Sequence, residues 1–391
     1  MDLDLNPYAP GAGVRPPAMV GRDAQLAAWA TTIKRTGNGL QSRPLCLWGL
    51  RGVGKTVLLN ALRRDAESAG WLTVSIEAAP TERGRETAQR RFARDLVSAA
   101  RKMKVIDTHS LRKALGSISS FSLNVGIASL ALGVEPAGGR ADTGDVTQDL
   151  IELADDVSGD LRERGLGFAV FVDEMQDLDD EFTAALLTMQ HKANQEDWPV
   201  FVIAAGLPNL PGRLRAVRTS AERLFNYNEV GPLSADAATA ALTRPAEAQN
   251  AAFTRRAVET LVEASSGYPY FLQEFGKAIW DIAPRSPFTK RDADNAVALG
   301  IAELDNGFFP ARWERATQAE RAYLTAMASG EDSDMTSGAI AERLGKTTQS
   351  LGPTRAQLIA KGLIYAPEHG VVRFSVPGMA EFIVRQNATI A

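Results

Sequence analysis

At 391 residues the chain is too long for one ordinary hydrophobic core, so two or three domains are expected. Its 45% hydrophobic and 23% charged content is ordinary for soluble globular proteins, and a net charge of −4 excludes a global attraction to nucleic acid, leaving only local patches for that purpose. The single cysteine, Cys46, excludes an internal disulfide; no apolar run approaches the roughly 20 residues of a membrane span and no charged-then-apolar leader opens the chain, so the expectation is a cytoplasmic protein with no membrane partner.

Residues 1–19 are rich in Pro and Gly and cannot be regular helix or strand. They read either as a tail or as a segment wrapping the core with Tyr8 packed near a bound base. After Val20-Gly21-Arg22-Asp23 a helical pattern runs from Gln25 to Ile33. The apolar run Pro44–Trp48 reads as a buried strand, and Val57–Arg64 as a helix. Between them Gly49-Leu50-Arg51-Gly52-Val53-Gly54-Lys55-Thr56 fits the phosphate-loop spacing G-x-x-x-x-G-K-[ST] in full. Glycines at Gly49, Gly52 and Gly54 let backbone N–H groups, those of Arg51, Val53 and Val57 among them, turn toward phosphate oxygens at a helix N-terminus. Lys55 supplies a point charge for the β- and γ-phosphates, and the Thr56 hydroxyl a ligand for Mg²⁺. The motif in this strand–loop–helix setting implies a bound nucleoside triphosphate with magnesium.

Further strands are expected at 71–76, 167–172 and 200–205, the last two continuously apolar, as in a parallel sheet covered on both faces. Residues 81–104 read as a charged helix with Phe92, Leu96, Ala99 and Met103 on one side. Phe121, Leu123, Val125 and Ile127 alternate with polar or small residues, which predicts a half-buried strand returning through Leu130–Val134, a hairpin insert at about 118–136. Asp145, with Gln148 three residues on, is expected to cap a helix. The strand at 167–172 ends in Asp173-Glu174: Asp173 is placed to hold Mg²⁺ directly or through water, and Glu174 to polarise an attacking water. Asn209 stands where a polar residue could sense the γ-phosphate, although an ordinary turn reads as well. Arg223 could reach a phosphate of its own or a neighbouring subunit, with Arg213, Arg215 and Arg218 as rivals. From Ser234 to about Leu299 the chain is helical and alanine-rich, and residues 310–391 follow the order helix, helix, helix, strand, strand of a winged helix-turn-helix. Its third helix offers Thr347, Thr348, Gln349, Ser350, Thr354, Arg355 and Gln357 to a major groove. Residues 311–391 hold nine Arg/Lys against eight Asp/Glu, far from the basic excess of a dedicated DNA binder, so double-stranded DNA and a protein partner, or self-association, stand as equal alternatives. Pro353 is expected in the first turn of that helix.

These elements together resemble the AAA+-related P-loop ATPases of the STAND and archaeal-ATPase type, close to the origin-recognition initiator ATPases. The resemblance rests on Val20–Asp23, the phosphate loop, the Asp173-Glu174 strand tip, Gly267-Tyr268-Pro269 and the C-terminal block. It implies an α/β fold with a P-loop core at 20–232, a helical lid at 233–305 and a winged helix at 306–391. Gly267-Tyr268-Pro269 then looks like the GxP signature, which brings Tyr268 and Pro269 to the nucleotide. Many AAA+ lids place an arginine in the next helix, but here it begins Tyr270-Phe271-Leu272-Gln273, which favours a slow switch over a motor. The expected activity is slow ATP hydrolysis to ADP and phosphate, with catalytic Glu174, Lys55 and Arg223. Three roles follow: a switch that repositions the winged helix toward DNA or a partner, a DNA-acting initiator or loader, and a non-hydrolysing scaffold.

Overall fold

The computed structural model describes every residue except 12, 80–83, 103–108, 127–137, 331–334, 369 and 391. The chain divides into two compact units, one of Arg22–Gly49 and Lys55–Val230, the other of Met1–Gly21, Leu50–Gly54 and Gly231–Ala391.

The first unit runs α1 (Asp23–Gly37), β1 (Leu45–Trp48), α2 (Lys55–Ser68), β2 (Leu72–Glu77), α3 (Gly84–Lys102), α4 (His109–Asn124), α5 (Val146–Glu163), β3 (Phe168–Asp173), α6 (Asp180–Gln195), β4 (Val200–Gly206), α7 (Leu210–Val217), α8 (Ala221–Leu224) and β5 (Asn226–Glu229). Its five strands are parallel in the order β2-β3-β4-β1-β5, the α/β core expected from the apolar runs. Every residue of β3 and β4 is buried, and their alternate side chains feed two aromatic clusters. On one face Phe171 and Phe201 meet Trp29 edge-on at 5.9 and 6.5 Å, while the Trp29 indole donates to the Leu62 carbonyl at 2.8 Å. On the other, Phe168 meets Phe92, which also packs on Phe121 and Phe182. Burial of each such side chain stabilises the fold by about 1.5–3 kcal/mol. The edge strand β5 carries Asn226, Asn228 and Glu229, polar residues that discourage further pairing.

The expected strand beginning near Phe121 is instead the end of α4. Its apolar alternation has a different cause: Phe121 is fully buried against Phe92, but Leu123 is 47% exposed, so the two do not share a buried face. The intervening Ser122 bonds locally, its hydroxyl donating to the Ile118 carbonyl at 2.7 Å, which satisfies a polar residue inside a helix. The expected return strand, Leu130–Val134, lies outside the described residues, as does Met103. The Asp145 cap is present: its carboxylate accepts from the N–H groups of Thr147 and Gln148.

In the second unit the N-terminal segment is not a tail. Tyr8 is buried and its hydroxyl donates to the Leu242 carbonyl, Asn6 donates to Asp281 at 2.7 Å, and the Trp280 indole donates to the Asp2 carbonyl at 2.7 Å. The partners belong to α9 (Ala235–Ala248) and α11 (Pro269–Ile282), which pack with α10 (Arg255–Ser265) and α12 (Lys290–Glu303). Side-chain caps set the starts of three of these helices: Ser234, Thr254 and a Thr289/Asp292 capping box. A π-helical turn, Leu304–Phe308, leads into α13 (Pro310–Trp313). Then come α14 (Gln318–Ala328), β6 (Met335–Thr336), α15 (Ser337–Arg343), α16 (Thr348–Ala360), β7 (Ile364–Tyr365), β8 (Val371–Phe374) and α17 (Met379–Ile390), the strands forming an antiparallel sheet β6-β8-β7. The three helices α14, α15 and α16 and the strands β7 and β8 follow the expected order, with the short strand β6 between α14 and α15 and the helix α17 after β8. One detail differs: α16 begins at Thr348, capped by Thr347, so Pro353 falls in its second turn. The amide that proline cannot supply would have reached the Gln349 carbonyl, and Gln349 is exposed, where water can take that role.

Candidate functional site

Strand β1 ends at Trp48, and the next amide, Gly49 N–H, donates to the Gly206 carbonyl at the end of β4 (3.1 Å). Because β4 lies between β1 and β3, the strand tips that carry the loop and Asp173 flank it at the carboxyl edge of the sheet, where open α/β sheets bind ligands. Gly52 and Gly54 take φ of +82° and +92°, a conformation side chains resist, which is what the loop requires of them. Helix α2 then opens with Lys55 and Thr56.

Thr56, Asp173, Glu174 and Lys55 come together here. The Thr56 hydroxyl donates to Asp173 Oδ2 at 2.6 Å, the Glu174 amide donates to Asp173 Oδ1 at 2.9 Å, and buried Lys55 donates through Nζ to the Gly49 carbonyl at 3.0 Å. Asp173 is itself buried; burial pushes its carboxyl above the usual carboxylate range, the Thr56 hydrogen bond opposes that, the Glu174 charge adds to the rise, and the Glu174 amide and the Lys55 charge work against it. Two hard oxygen ligands in contact, one a buried carboxylate, suit a small divalent cation.

Glu174 ends β3 abruptly. It holds φ 47° and ψ 40°, a left-handed conformation that costs a non-glycine residue about 1–3 kcal/mol and turns the chain into a short 3-10 helix, Met175–Asp177. Gln176 holds this turn, a residue sequence reasoning did not single out. Its Nε2 donates to Glu174 Oε2 at 2.6 Å and to Asp177 Oδ2 at 3.3 Å, while its Oε1 accepts from the Leu207 amide at 3.0 Å. The last bond fixes which end of the amide faces Glu174, since the N–H of Leu207 can meet only an acceptor. Gly206 permits the approach: a β-carbon there would lie 2.4 Å from Gln176 Oε1. The available signal was a glutamine two residues past a strand-terminal acid, ahead of the apolar Leu178.

The second unit holds the loop's tip, Leu50–Gly54. Val53 is fully buried, and a β-carbon at Gly52 would meet Tyr268 and Tyr270 at 3.8 Å, one at Gly54 Pro269 at 4.0 Å. Tyr268 and Pro269 therefore lie against Gly52 and Gly54. Val57, in the first turn of α2, is half-buried. Arg223 is placed elsewhere: its side chain is 83% exposed, lies 3.5 Å from Glu222, and bonds none of Lys55, Thr56, Asp173 or Glu174. Arg218 donates to the Thr188 hydroxyl at 2.6 Å, and Arg213 donates to the Leu178 carbonyl at 2.8 Å. Asn209 directs a buried Oδ1 that accepts no hydrogen bond.

Residues 18–203 match the AAA ATPase domain family, and residues 306–383 match a domain family of unknown function. No curated protein matches the sequence. Among solved structures the chain is similar to the Walker-type ATPase PABY2304 of Pyrococcus abyssi, at TM-score 0.63 and 17% identity over 97% of this chain and 99% of that one. Lesser likenesses include Cdc6p of Pyrobaculum aerophilum (TM-score 0.47, 12% identity, covering 100% and 99%) and the Aeropyrum pernix Orc1 protein in complex with DNA (0.47, 16%, 96% of each).

Proposed function

We propose that this chain, whose residues 18–203 form an AAA ATPase domain of the P-loop, AAA+-related kind, binds ATP, hydrolyses it slowly, and uses the nucleotide state to control its C-terminal winged helix. The observation that carries the reading is the 2.6 Å contact between the Thr56 hydroxyl and Asp173, which joins the phosphate loop to the acidic strand tip. Thr56 and Asp173 would hold Mg²⁺; when bound, the ion offsets the charge of the phosphates. Lys55, now resting on the Gly49 carbonyl, would exchange that acceptor for phosphate oxygens, a charge-assisted and stronger bond. Glu174 accepts the proton of the attacking water, and Gln176 holds its carboxylate until the substrate is in place.

The switch reading draws support from the lid turn. Tyr268 and Tyr270 lie against the loop tip, and Tyr270 stacks on Phe308 (4.8 Å between centroids), whose neighbour Phe309 stacks on Phe382 of α17 at 5.2 Å. A change at the loop can thus be felt by the C-terminal block through packed rings. For that block a DNA-acting role is favoured by one feature: α16 buries Leu351 and Leu358 and exposes Thr348, Gln349, Ser350 and Gln357, with no acidic residue between Lys346 and Lys361.

Nucleotide binding and phosphate release by the full chain test the core proposal. Lys55→Ala should weaken ATP binding by at least about a hundredfold. Glu174→Gln should bind ATP as the parent does and fail to turn it over. A Glu174→Gln variant with parental turnover would place the base elsewhere. A mobility shift on duplex DNA, with and without ATP and across salt, decides the role of α16; binding through phosphates weakens steeply as salt rises.

A further inference from the structure

A cavity of about 540 Å³ opens at the amino edge of the parallel sheet, within the roughly 300–1,000 Å³ that small-molecule sites occupy. Three stretches of the first unit wall it: one face of α1, the turn 41–43 that leads into β1, and residues 225–227 at the start of β5. Strands β1 and β5 run parallel, with Leu45 opposite Asn226 and Trp48 opposite Glu229. The cavity lies at the Leu45 end, and Gly49 follows the other end, about 10 Å of strand away. It is therefore separate from the site of Thr56 and Asp173.

No acidic residue lines the cavity, and two arginines do. Arg35 is fixed in place. Its Nε and Nη2 donate to the Gln41 carbonyl at 3.2 and 2.9 Å, and Nε also donates to the Ser42 hydroxyl oxygen at 3.1 Å. That grip shapes the turn that presents Arg43. Arg43 is exposed and, among the described residues, makes no hydrogen bond or ion pair. The Asn226 side-chain amide is exposed and equally unengaged among the described residues. The Ser42 hydroxyl, having accepted from Arg35, keeps its proton to donate. Two cations and two further donors on one concave wall create a local positive potential, in a chain whose net charge is −4.

The planar fork of a guanidinium matches the paired oxygens of a carboxylate or phosphate, which is the chemistry this wall lacks. The opposite wall is apolar. Phe225 and Tyr227 meet edge-on at 5.9 Å, and the Tyr227 hydroxyl is spent on the Ala221 carbonyl at 2.9 Å, which leaves its ring as the surface it offers. An oxyanion receptor beside an aromatic ring suits an anion with a carbon body better than a bare ion. We propose that this cavity binds a small organic anion, its phosphate or carboxylate group held by Arg43 and Arg35 and its carbon body against Tyr227, at a site distinct from that of the nucleotide.

The test is calorimetric titration of the full chain with glycerol 3-phosphate and with succinate, one a phosphate ester and one a dicarboxylate. The proteins are wild type, Arg43→Gln, Arg43→Lys, Lys34→Gln and Lys55→Ala. Wild type should bind at least one probe with a Kd below about 1 mM. Arg43→Gln should weaken that binding about ten- to hundredfold, the effect of losing a hydrogen bond to a charged group, with its melting temperature unchanged. Arg43→Lys, which keeps charge without the fork, should weaken it about three- to tenfold. Lys34→Gln removes a neighbouring exposed cation that does not line the cavity, and should change affinity by less than about twofold. Lys55→Ala should leave it unchanged. Binding of one probe alone identifies the head group as phosphate or carboxylate, and binding of both makes the shared oxyanion the feature read. The proposal is overturned if neither probe binds, or if Arg43→Gln keeps parental affinity. Loss of binding in Lys55→Ala would put the anion in the phosphate loop instead, and equal losses in Arg43→Gln and Lys34→Gln would reduce the effect to diffuse surface charge; either result also overturns it.

Discussion

Asp156 and Asp173 are both buried carboxylates in the same unit, and their surroundings are opposite. Asp156, on α5, is closed by cations: Arg140 donates to it at 2.6 and 3.2 Å, Lys113 lies at 2.7 Å, and the Ser117 hydroxyl adds a further bond. Burial works to raise its pKa, but Arg140, Lys113 and Ser117 together hold it below the ordinary value. Asp173 receives only neutral donors, the Thr56 hydroxyl and the Glu174 amide, and burial keeps it above the ordinary value. The charge of Lys55 works to lower its pKa but does not outweigh burial. One carboxylate is complete as folded. The other keeps a raised pKa that a bound cation would lower.

The strongest way to break this comparison is Asp173→Asn. Turnover should fall by about a thousandfold, roughly 4 kcal/mol of transition-state stabilisation, because the carboxylate that would hold the ion is gone. The nucleotide-free variant should be at least as stable as its parent, since a disfavoured charge has been removed. Phosphate release and denaturant unfolding measure the two, and a stability loss with intact turnover would make Asp173 a structural residue like Asp156.

Asp156→Ala is the converse. Removing one member of a buried ion cluster leaves the others uncompensated, and the loss should be about 3 kcal/mol in a denaturant titration, toward the low end because Arg140 and Lys113 are partly exposed and regain water. Turnover per folded molecule should be unchanged. Reduced turnover in the folded fraction would tie this cluster to the chemistry and erase the contrast.

How much of this was legible in the chain depends on whether a feature is local. The phosphate loop and the Asp173-Glu174 tip were, since their chemistry is set by spacing along consecutive residues and by apolar runs that only a covered parallel sheet explains. The stretch at Phe121 was not, because an alternation of apolar residues with serine fits a strand as well as a helix whose serines bond back to their own backbone. Gln176 escaped because its work depends on the amide of Leu207, 31 residues away and just past the end of the next strand, and on the bare α-carbon of Gly206. Arg223 was favoured by its place before a short strand, a position that says nothing about direction, and its side chain is exposed.

Gln176→Ala sharpens the comparison by asking what holds the acid next to Asp173. It should lower turnover about tenfold, near 1.4 kcal/mol, with ATP affinity unchanged, because Glu174 loses the donor that fixes its carboxylate. An equal fall in affinity and turnover would assign Gln176 to binding.

The smallest effect, and the one that addresses both carboxylates at once, is the pH dependence of stability without nucleotide or metal. Asp156 ionises more readily in the folded chain than its ordinary value of 3.8, so its stabilising contribution is complete above that value and is lost as pH falls through the depressed folded pKa. Asp173 holds its proton more tightly in the folded chain, so its contribution is favourable below 3.8 and is lost as pH rises through the elevated folded pKa. Unfolding free energies of wild type minus Asp156→Asn should therefore increase with pH across the carboxylate range, and those of wild type minus Asp173→Asn should decrease. Adding Mg²⁺ should flatten the second slope and leave the first alone, because the proposed ion site includes Asp173 and not Asp156. Two difference curves of the same sign would mean that the two aspartates share one kind of environment, and the case for a cation at Asp173 would lose its physical ground.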